Sequence, residues 1–355
     1  MNSYDIAEWG QPLQQRLRAT PQPGPDEVLI RLSHCGVCHS DLHIREGSFD
    51  LGGGNKLKLS DRGTQLPLTP GHEPIGVVQA LGSAVQGIEL GRSYLVNPWI
   101  GCGQCRFCKA DRDNLCNNMR AMGLALPGGF ATHLLVPHAR YLVDAEGLDP
   151  ATCAVLACSG VTAYSAIQKF GPLQPDDWVA VLGCGGVGLM GLSVLAALGH
   201  KRVIACDIDD AKLQAAQAVG AAAVVNLKST PGPAELLRIS GGGLAHMVDF
   251  VGAPATSQLA LPALLKGGQL VVVGLFGGAL PVPLPALAMR EVSLRGSAVG
   301  TTAQIRELVQ LVRDGKLKLP AVQVRRLAEA EQALRDLEAG RIIGRVVLDT
   351  TDAAA

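Results

Sequence analysis

Four of the ten cysteines, Cys102, Cys105, Cys108 and Cys116, fall within the stretch GCGQCRFCKADRDNLC. Two-residue gaps let successive thiolates converge on one tetrahedral ion, whereas disulfides between such near neighbours are strained. Four thiolates complete the coordination of zinc, so such a site holds a loop together and does no chemistry. A second signature is Gly183-Cys184-Gly185-Gly186-Val187-Gly188, set between the apolar runs WVAVL and LMGLSVLAAL. Gly183 allows a tight turn, Gly185 lets the backbone approach a pyrophosphate, and Gly188 lets helix and strand pack closely. The helix that follows offers free N–H groups to phosphates. Asp207 ends the next apolar run. A carboxylate there accepts hydrogen bonds from ribose hydroxyls and repels a 2′-phosphate, so the expected cofactor is NAD and not NADP. Three more clusters combine soft ligands with titratable groups: GVCHSDLH (Gly36–His43), GHE (Gly71–Glu73) and CAVLACSGVTAY (Cys153–Tyr164).

These groups need elements to hold them. The first 160 residues read as short strands broken by Gly and Pro, with Glu27–Ser33, Ile75–Gly82 and Ala131–Val136 as examples. From about 161 the texture changes to alternating strand and helix. The expected strands are Trp178–Leu182, Arg202–Cys206, Ala222–Asn226, His246–Phe250, Gln269–Val273 and Glu291–Gly296. Helical patterns run over Asp210–Val219 and Thr256–Leu265. Six strands with intervening helices predict a parallel, doubly wound sheet. Beyond it, Ala303–Arg313 and Ala328–Glu338 read as helices and Arg345–Leu348 as a last strand.

The composition sets outer limits. At about 150 residues per domain, 355 residues make two domains. Apolar residues are 48% and charged residues 17%, which excludes disorder. Lys plus Arg and Asp plus Glu both number 31, and aromatics are 4%, so no nucleic-acid partner is expected. The opening MNSYDIAEWG carries Asp5 and Glu8 without an apolar run, so it does not read as a signal peptide, and a cytoplasmic location is expected. Two uncharged stretches are long enough to suggest membrane helices. Gly183, Gly185, Gly186, Gly188 and Gly191 interrupt the first, and Pro281, Pro283 and Pro285 the second, so no membrane partner is expected.

Together these motifs resemble the zinc-dependent medium-chain dehydrogenases of the alcohol dehydrogenase type, along nearly the whole chain. The resemblance implies an irregular, GroES-like β-rich catalytic domain, 1–160 plus 298–355, around an inserted Rossmann coenzyme domain, 161–297. It implies a catalytic zinc on Cys38, His72 and Cys158, a structural zinc on the four-cysteine loop, and NAD as coenzyme. Cys35 and Cys153 sit near the ligands. The family pattern selects Cys38, which Ser40 and Asp41 follow, and Cys158, which Ser159, Gly160 and Thr162 follow. Cys35, Cys153, Cys184 and Cys206 then read as small core residues. Three ligands leave the zinc a fourth position for water or substrate.

The same resemblance distributes further roles. Asp41 orients His72 through its second nitrogen, Glu73 supports the ligands in the same outer layer, and family analogy alone makes Glu73 a transient ligand of the zinc. Ser40 contacts the alcohol and passes its proton, by way of the nicotinamide ribose, to His43 at the surface. His39, Thr162, Val187, Lys212 and Arg345 join the glycine motif and Asp207 in binding coenzyme. His39 stands where the family often has Arg, which implies weaker coenzyme binding and faster release. The implied activity is reversible oxidation of primary or secondary alcohols, in a homo-oligomer, a tetramer rather than a dimer. A polyol or other functionalised secondary-alcohol dehydrogenase is the neighbouring reading. A non-catalytic nucleotide-binding homologue is the reading from another class, and the intact Cys38, His72, Cys158 and Ser40 set argues against it. Between His43 and His72 the chain is longer than is usual in that family. The excess, Asp50–Gln65, holds the turn Gly52-Gly53-Gly54-Asn55 and the alternating Lys56-Leu57-Lys58-Leu59, which predicts a hairpin. Anchored beside catalytic groups at both ends, it reads either as a tolerated surface insertion or as a segment that shapes the access of bulky alcohols.

Overall fold

The structure is a computed structural model that describes residues 1–230 and 232–351. Its centre is a six-stranded parallel sheet in which Ala223–Asn226, Val203–Asp207, Val179–Leu182, Leu244–Asp249, Leu264–Val272 and Ser293–Gly296 lie side by side in that order. The order reverses between the first strand in sequence, Val179–Leu182, and the fourth, and such a switch point opens a crevice at the carboxyl ends of the strands. All four residues of Val179–Leu182 are buried, as a central parallel strand covered on both faces requires.

The second large sheet has seven strands. Leu142–Asp144, Ser93–Val96, Pro74–Leu81, Val28–Val37, Arg345–Asp349 and Val322–Arg326 are neighbours in that order, and His133–Val136 also pairs with Val28–Val37. Its pairings are antiparallel except that of Val322–Arg326 with Arg345–Asp349. The chain therefore leaves this sheet, builds the parallel one, and returns to add two strands. The helix Ser159–Ile167 joins the two parts. All nine of its residues are buried, and it shares one apolar core with Leu95, Val143 and Val347 on one side and Leu189, Leu192 and Val248 on the other.

The expected elements recur with three differences. The run Thr256–Leu265 is not one helix: Pro254–Ser257 and Ala260–Ala263 are separate short turns, and Leu264 already begins a strand. Pro262 has no N–H to continue a helical ladder from Gln258. The stretch read from Ala328 opens as a 3-10 turn, Leu327–Glu329, before the helix Ala330–Glu338. The first 160 residues also contain helices, His39–Glu46 and Pro150–Ala154. The former starts where the Asp41 carboxylate accepts the Cys38 N–H and ends at Gly47, whose φ of 75° suits glycine. The expected hairpin is present, with Ser48–Gly52 antiparallel to Asn55–Lys58. Among the described residues no single helix is long and apolar enough to cross a membrane.

Candidate functional site

Cys38 precedes the helix His39–Glu46, His72 lies in the turn before Pro74–Leu81, and Cys158 precedes the helix Ser159–Ile167. The fold brings the three together from distant segments. Their ligand atoms lie within 4.8 Å of one another and all three residues are buried. His72 Nδ1 is 3.0 Å from Asp41 Oδ1, while its Nε2 is buried with no hydrogen-bond partner. A buried nitrogen left unpaired is costly unless a cation takes it. Two thiols and an imidazole are a donor set for zinc, so the residues fit that ion. The Cys158 thiol, donating to Cys38, holds Cys38 well below the ordinary thiol range, and Cys158 is pushed up by the same bond and by burial.

One carboxylate ties two of these turns. Asp41 accepts from the Cys38 N–H at 2.9 Å and from the Gly71 N–H at 3.3 Å besides facing His72. Ser40 Oγ lies 3.9 Å from Cys38 Sγ. Glu73 is fully buried, accepts the Ser159 N–H at 3.2 Å and pairs with Arg345. Burial pushes its carboxyl up to about 7, against the pull of Arg345. Arg345 reaches the other way as well: a Cβ at Gly186 would run into its Cδ. The last strand thus links the carboxylate beside the ligands to the glycine turn.

That turn has the features a dinucleotide needs. Gly183 has φ +87°, and a Cβ at Gly188 would run into the Gly183 carbonyl oxygen. At Gly185 nothing lies within 4 Å of where a Cβ would be, so the backbone there is open to a ligand. The helix Gly186–Ala197 follows with Val187 in its first turn. Asp207 Oδ2 accepts the Cys184 N–H at 2.7 Å, and Oδ1 accepts the Ile208 N–H at 2.7 Å. The strand-end carboxylate therefore also pins the turn. Lys212 lies in the first turn of the helix Asp210–Ala218, Thr162 Oγ1 is buried without a partner, and His39 is exposed at the start of its helix.

Cys102, Cys105, Cys108 and Cys116 form the other cluster that could hold a metal ion among the described residues. Cys105 and Cys108 sulfurs are 3.5 Å apart, and the 3-10 turns Cys108–Ala110 and Asp113–Leu115 fold the loop. Backbone N–H groups of Gln104 and Cys105, with Cys116, bring the Cys102 thiol down to about 6.

The comparisons with known proteins agree with this geometry. The family described as "Alcohol dehydrogenase GroES-like domain" matches residues 24–146, and "Zinc-binding dehydrogenase" matches 186–314. An NAD-dependent alcohol dehydrogenase of Sulfurisphaera tokodaii is 35% identical over 350 residues, 98% of this chain and 99% of its own. The solved alcohol dehydrogenase of Aeropyrum pernix superposes with a TM-score of 0.89 at 31% identity, covering 98% of this chain and 100% of that one. The acetophenone reductase of Geotrichum candidum, solved with NAD, gives 0.83 at 29%, covering 99% and 97%. This chain is a zinc-type medium-chain alcohol dehydrogenase.

Within this alcohol dehydrogenase fold, some residues at the site escaped the sequence reading. Trp99 sets its ring 5.6 Å from that of His72, and its Nε1 donates to the Ala157 carbonyl at 3.1 Å, next to Cys158. With Ala121, Met119, Leu124 and Val299 it makes an apolar wall around Cys38 and Cys158. Gly36 is needed because a Cβ there would run into Glu73 Oε2. Neither carries a local signal, since both roles arise from contacts across the fold. His43 is half-buried, its ring 5.2 Å from that of Phe49. Burial first, and then the neighbouring His39, lowers its pKa. Cys35, Cys153, Cys184 and Cys206 are all buried.

Proposed function

We propose that this chain is an NAD-dependent, zinc-dependent alcohol dehydrogenase that oxidises primary or secondary alcohols to aldehydes or ketones, reversibly. The observation that carries the reading is the buried Cys38, His72, Cys158 set, with an unpartnered His72 Nε2, linked through Glu73 and Arg345 to the glycine turn. When bound, zinc supplies Lewis-acid polarisation of the alcohol or carbonyl oxygen, and NAD accepts or returns the hydride. Cys38, His72 and Cys158 hold one ion, and the four-cysteine loop a second, structural one. Asp41 keeps the His72 proton on Nδ1, so that Nε2 stays free as a ligand. The Trp99 wall excludes water, which strengthens every charge interaction inside. Ser40 takes the alcohol proton. Ser40 gives up its own proton in turn, by way of the nicotinamide ribose, to His43, three residues further on the same helix and so on the same face, which delivers it to solvent.

Coenzyme is held by Gly183, Gly185, Gly186, Val187 and Gly188 at the pyrophosphate and by Asp207 at the ribose, with His39, Thr162, Lys212 and Arg345 around them. The catalytic domain comprises 1–160 and 298–355 and the coenzyme domain 161–297. Leu275, Phe276, Leu284 and Met289 are exposed apolar side chains in the segment between the strands Leu264–Val272 and Ser293–Gly296, and the latter is an edge strand, which suits a homo-oligomer, tetrameric by preference. Thiolate sites need a reducing compartment, which suits the cytoplasm. The test is NADH absorbance with ethanol, 2-propanol, benzyl alcohol and a sugar alcohol. Turnover of the simple alcohols is the expected result. Turnover of the sugar alcohol alone would favour the polyol reading, and NADH binding without any turnover the non-catalytic one.

A further inference from the structure

The hairpin 48–58 is rooted on the catalytic side and seated on the coenzyme side. At its root, Phe49 and Leu59 join an apolar cluster with Ile6, Ile44 and Leu68, and the Phe49 ring lies against His43. At its tip, Gly52, Gly53 and Gly54 all have left-handed backbones, with φ of +80°, +61° and +82°. Gly52 is buried although Leu51, Gly53 and Gly54 around it are exposed. What covers it is backbone: a Cβ at Gly52 would run into the carbonyl oxygen of Gly278. From the other side, a Cβ at Gly277 would come within 3.0 Å of Asp50 Cγ. Gly277 and Gly278 are also left-handed, at +109° and +91°. Two glycine turns from opposite sides of the cleft thus meet main chain to main chain.

Both turns are held firmly from behind. Asp50 Oδ1 accepts the Gly52 N–H at 2.7 Å. Gly277 donates to the Gly252 carbonyl and Phe276 to the Val251 carbonyl, both at 3.2 Å, while Asp249 Oδ1 accepts the Val251 and Gly252 N–H groups at 2.9 Å. Val251 reaches the glycine motif, since a Cβ at Gly183 would lie 2.6 Å from its Cγ2. The seat is therefore one short chain of contacts from the pyrophosphate turn, and the root is one contact from His43. The contact itself is small, so it can open without unfolding either partner.

We propose that the hairpin is a latch across the cleft, closed by the Gly52–Gly278 seat, and that bound coenzyme leaves only when this seat opens. The proposal rests on the coenzyme reading above. A tip free in solvent accepts a side chain anywhere the backbone allows; here Gly54 has open space around it and Gly52 does not. That contrast supplies the test. Gly52→Ala runs into the Gly278 carbonyl oxygen and unseats the latch, Gly277→Ala crowds the Asp50 side chain from the other side, and Gly54→Ala, at nearly the same φ as Gly52, brings the same left-handed strain without the contact. In the zinc-loaded full chain, stopped-flow NADH fluorescence should show release about tenfold faster in Gly52→Ala and Gly277→Ala, and less than about twofold faster in Gly54→Ala. Without coenzyme, trypsin should cut at the exposed Lys56 and Lys58 about tenfold faster in the two unseated variants, because cleavage follows the open population. Failure of the unaltered chain to bind NADH overturns the coenzyme reading and the latch with it. Normal NADH binding with release and cleavage unchanged in Gly52→Ala and Gly277→Ala overturns the latch alone. So does a Gly54→Ala variant that behaves like Gly52→Ala, since turn strain is then the cause.

Discussion

The four-cysteine loop and the Cys38, His72, Cys158 set are two clusters that could hold a metal ion, built on opposite plans. The loop takes its thiols from one short stretch, folds them with two 3-10 turns, and leaves Cys102 and Cys105 half-exposed. The other set gathers its ligands from three distant segments and buries all of them. The loop has four donors, all thiols, with the Asp113 carboxylate beside Cys108. The buried set has three donors, an aligned Asp41, an apolar wall and Glu73 beyond. A local cluster can afford to be self-sufficient, while a site meant to react depends on the whole fold.

The sharpest way to break this contrast is to remove one ligand from each. Cys158→Ala should cut kcat by about a thousandfold or more, since Lewis-acid stabilisation of several kcal/mol is lost. It should leave a folded protein with one zinc per chain by elemental analysis. Cys105→Ala should do the reverse, lowering Tm by about 5–10 °C while the folded fraction keeps turnover within about threefold. Equal losses of activity in the two variants would erase the distinction drawn here.

A smaller effect separates the sites through their surroundings. Asp41→Asn keeps the shape but no longer anchors the Nδ1 proton by charge, and should lower zinc affinity or kcat about 10–100-fold. No side chain of the four-cysteine loop should show a comparable outer effect. A metal titration of Asp41→Asn that matches the unaltered chain would show that the carboxylate only shapes the turn. Asp207→Ala tests the locally encoded coenzyme turn. It should raise the Kd for NAD at least about tenfold and narrow the preference over NADP, since even one hydrogen bond to a charged acceptor contributes about 1.5 kcal/mol or more. It should also loosen the Cys184 turn, because the same carboxylate binds that N–H.

What the chain declares locally, it declares well. The C-x-x-C spacing and the strand–glycine–helix order are short-range signals, and both recur in the structure as read. The buried Cys38, His72, Cys158 set was legible only through family resemblance, since spacing alone does not choose Cys38 over Cys35. The structure sends Cys35 into a core with Phe130 and Leu348 and leaves Cys38 beside His72. The Trp99 wall, the room that Gly36 leaves for Glu73 and the Gly52–Gly278 seat have no sequence signal, because each joins residues that only tertiary structure brings together. The Thr256–Leu265 misreading has a local cause: apolar periodicity outweighed Pro262, which removes a helical donor.

The smallest expected effect lies at His43, the proposed end of the proton relay from the buried site to solvent. Burial and His39 lower the His43 pKa from its ordinary 6.5, so the imidazole is neutral at pH 7 and free to accept a proton. Neutral imidazole is the competent form for alcohol oxidation. The rate of oxidation should therefore fall as pH drops through that lowered pKa, and ketone reduction, which needs the protonated form, should not fall with it. His43→Gln removes the titrating group while keeping a polar side chain against Phe49. It should lower oxidation by about tenfold near pH 7, less at higher pH where hydroxide serves as acceptor, and it should abolish the low-pH inflection. Zinc content should stay at the unaltered value, because His43 touches no ligand of either set. Should the inflection persist in His43→Gln, the proton leaves by another route, and the buried site is less dependent on its surroundings than the comparison with the four-cysteine loop requires.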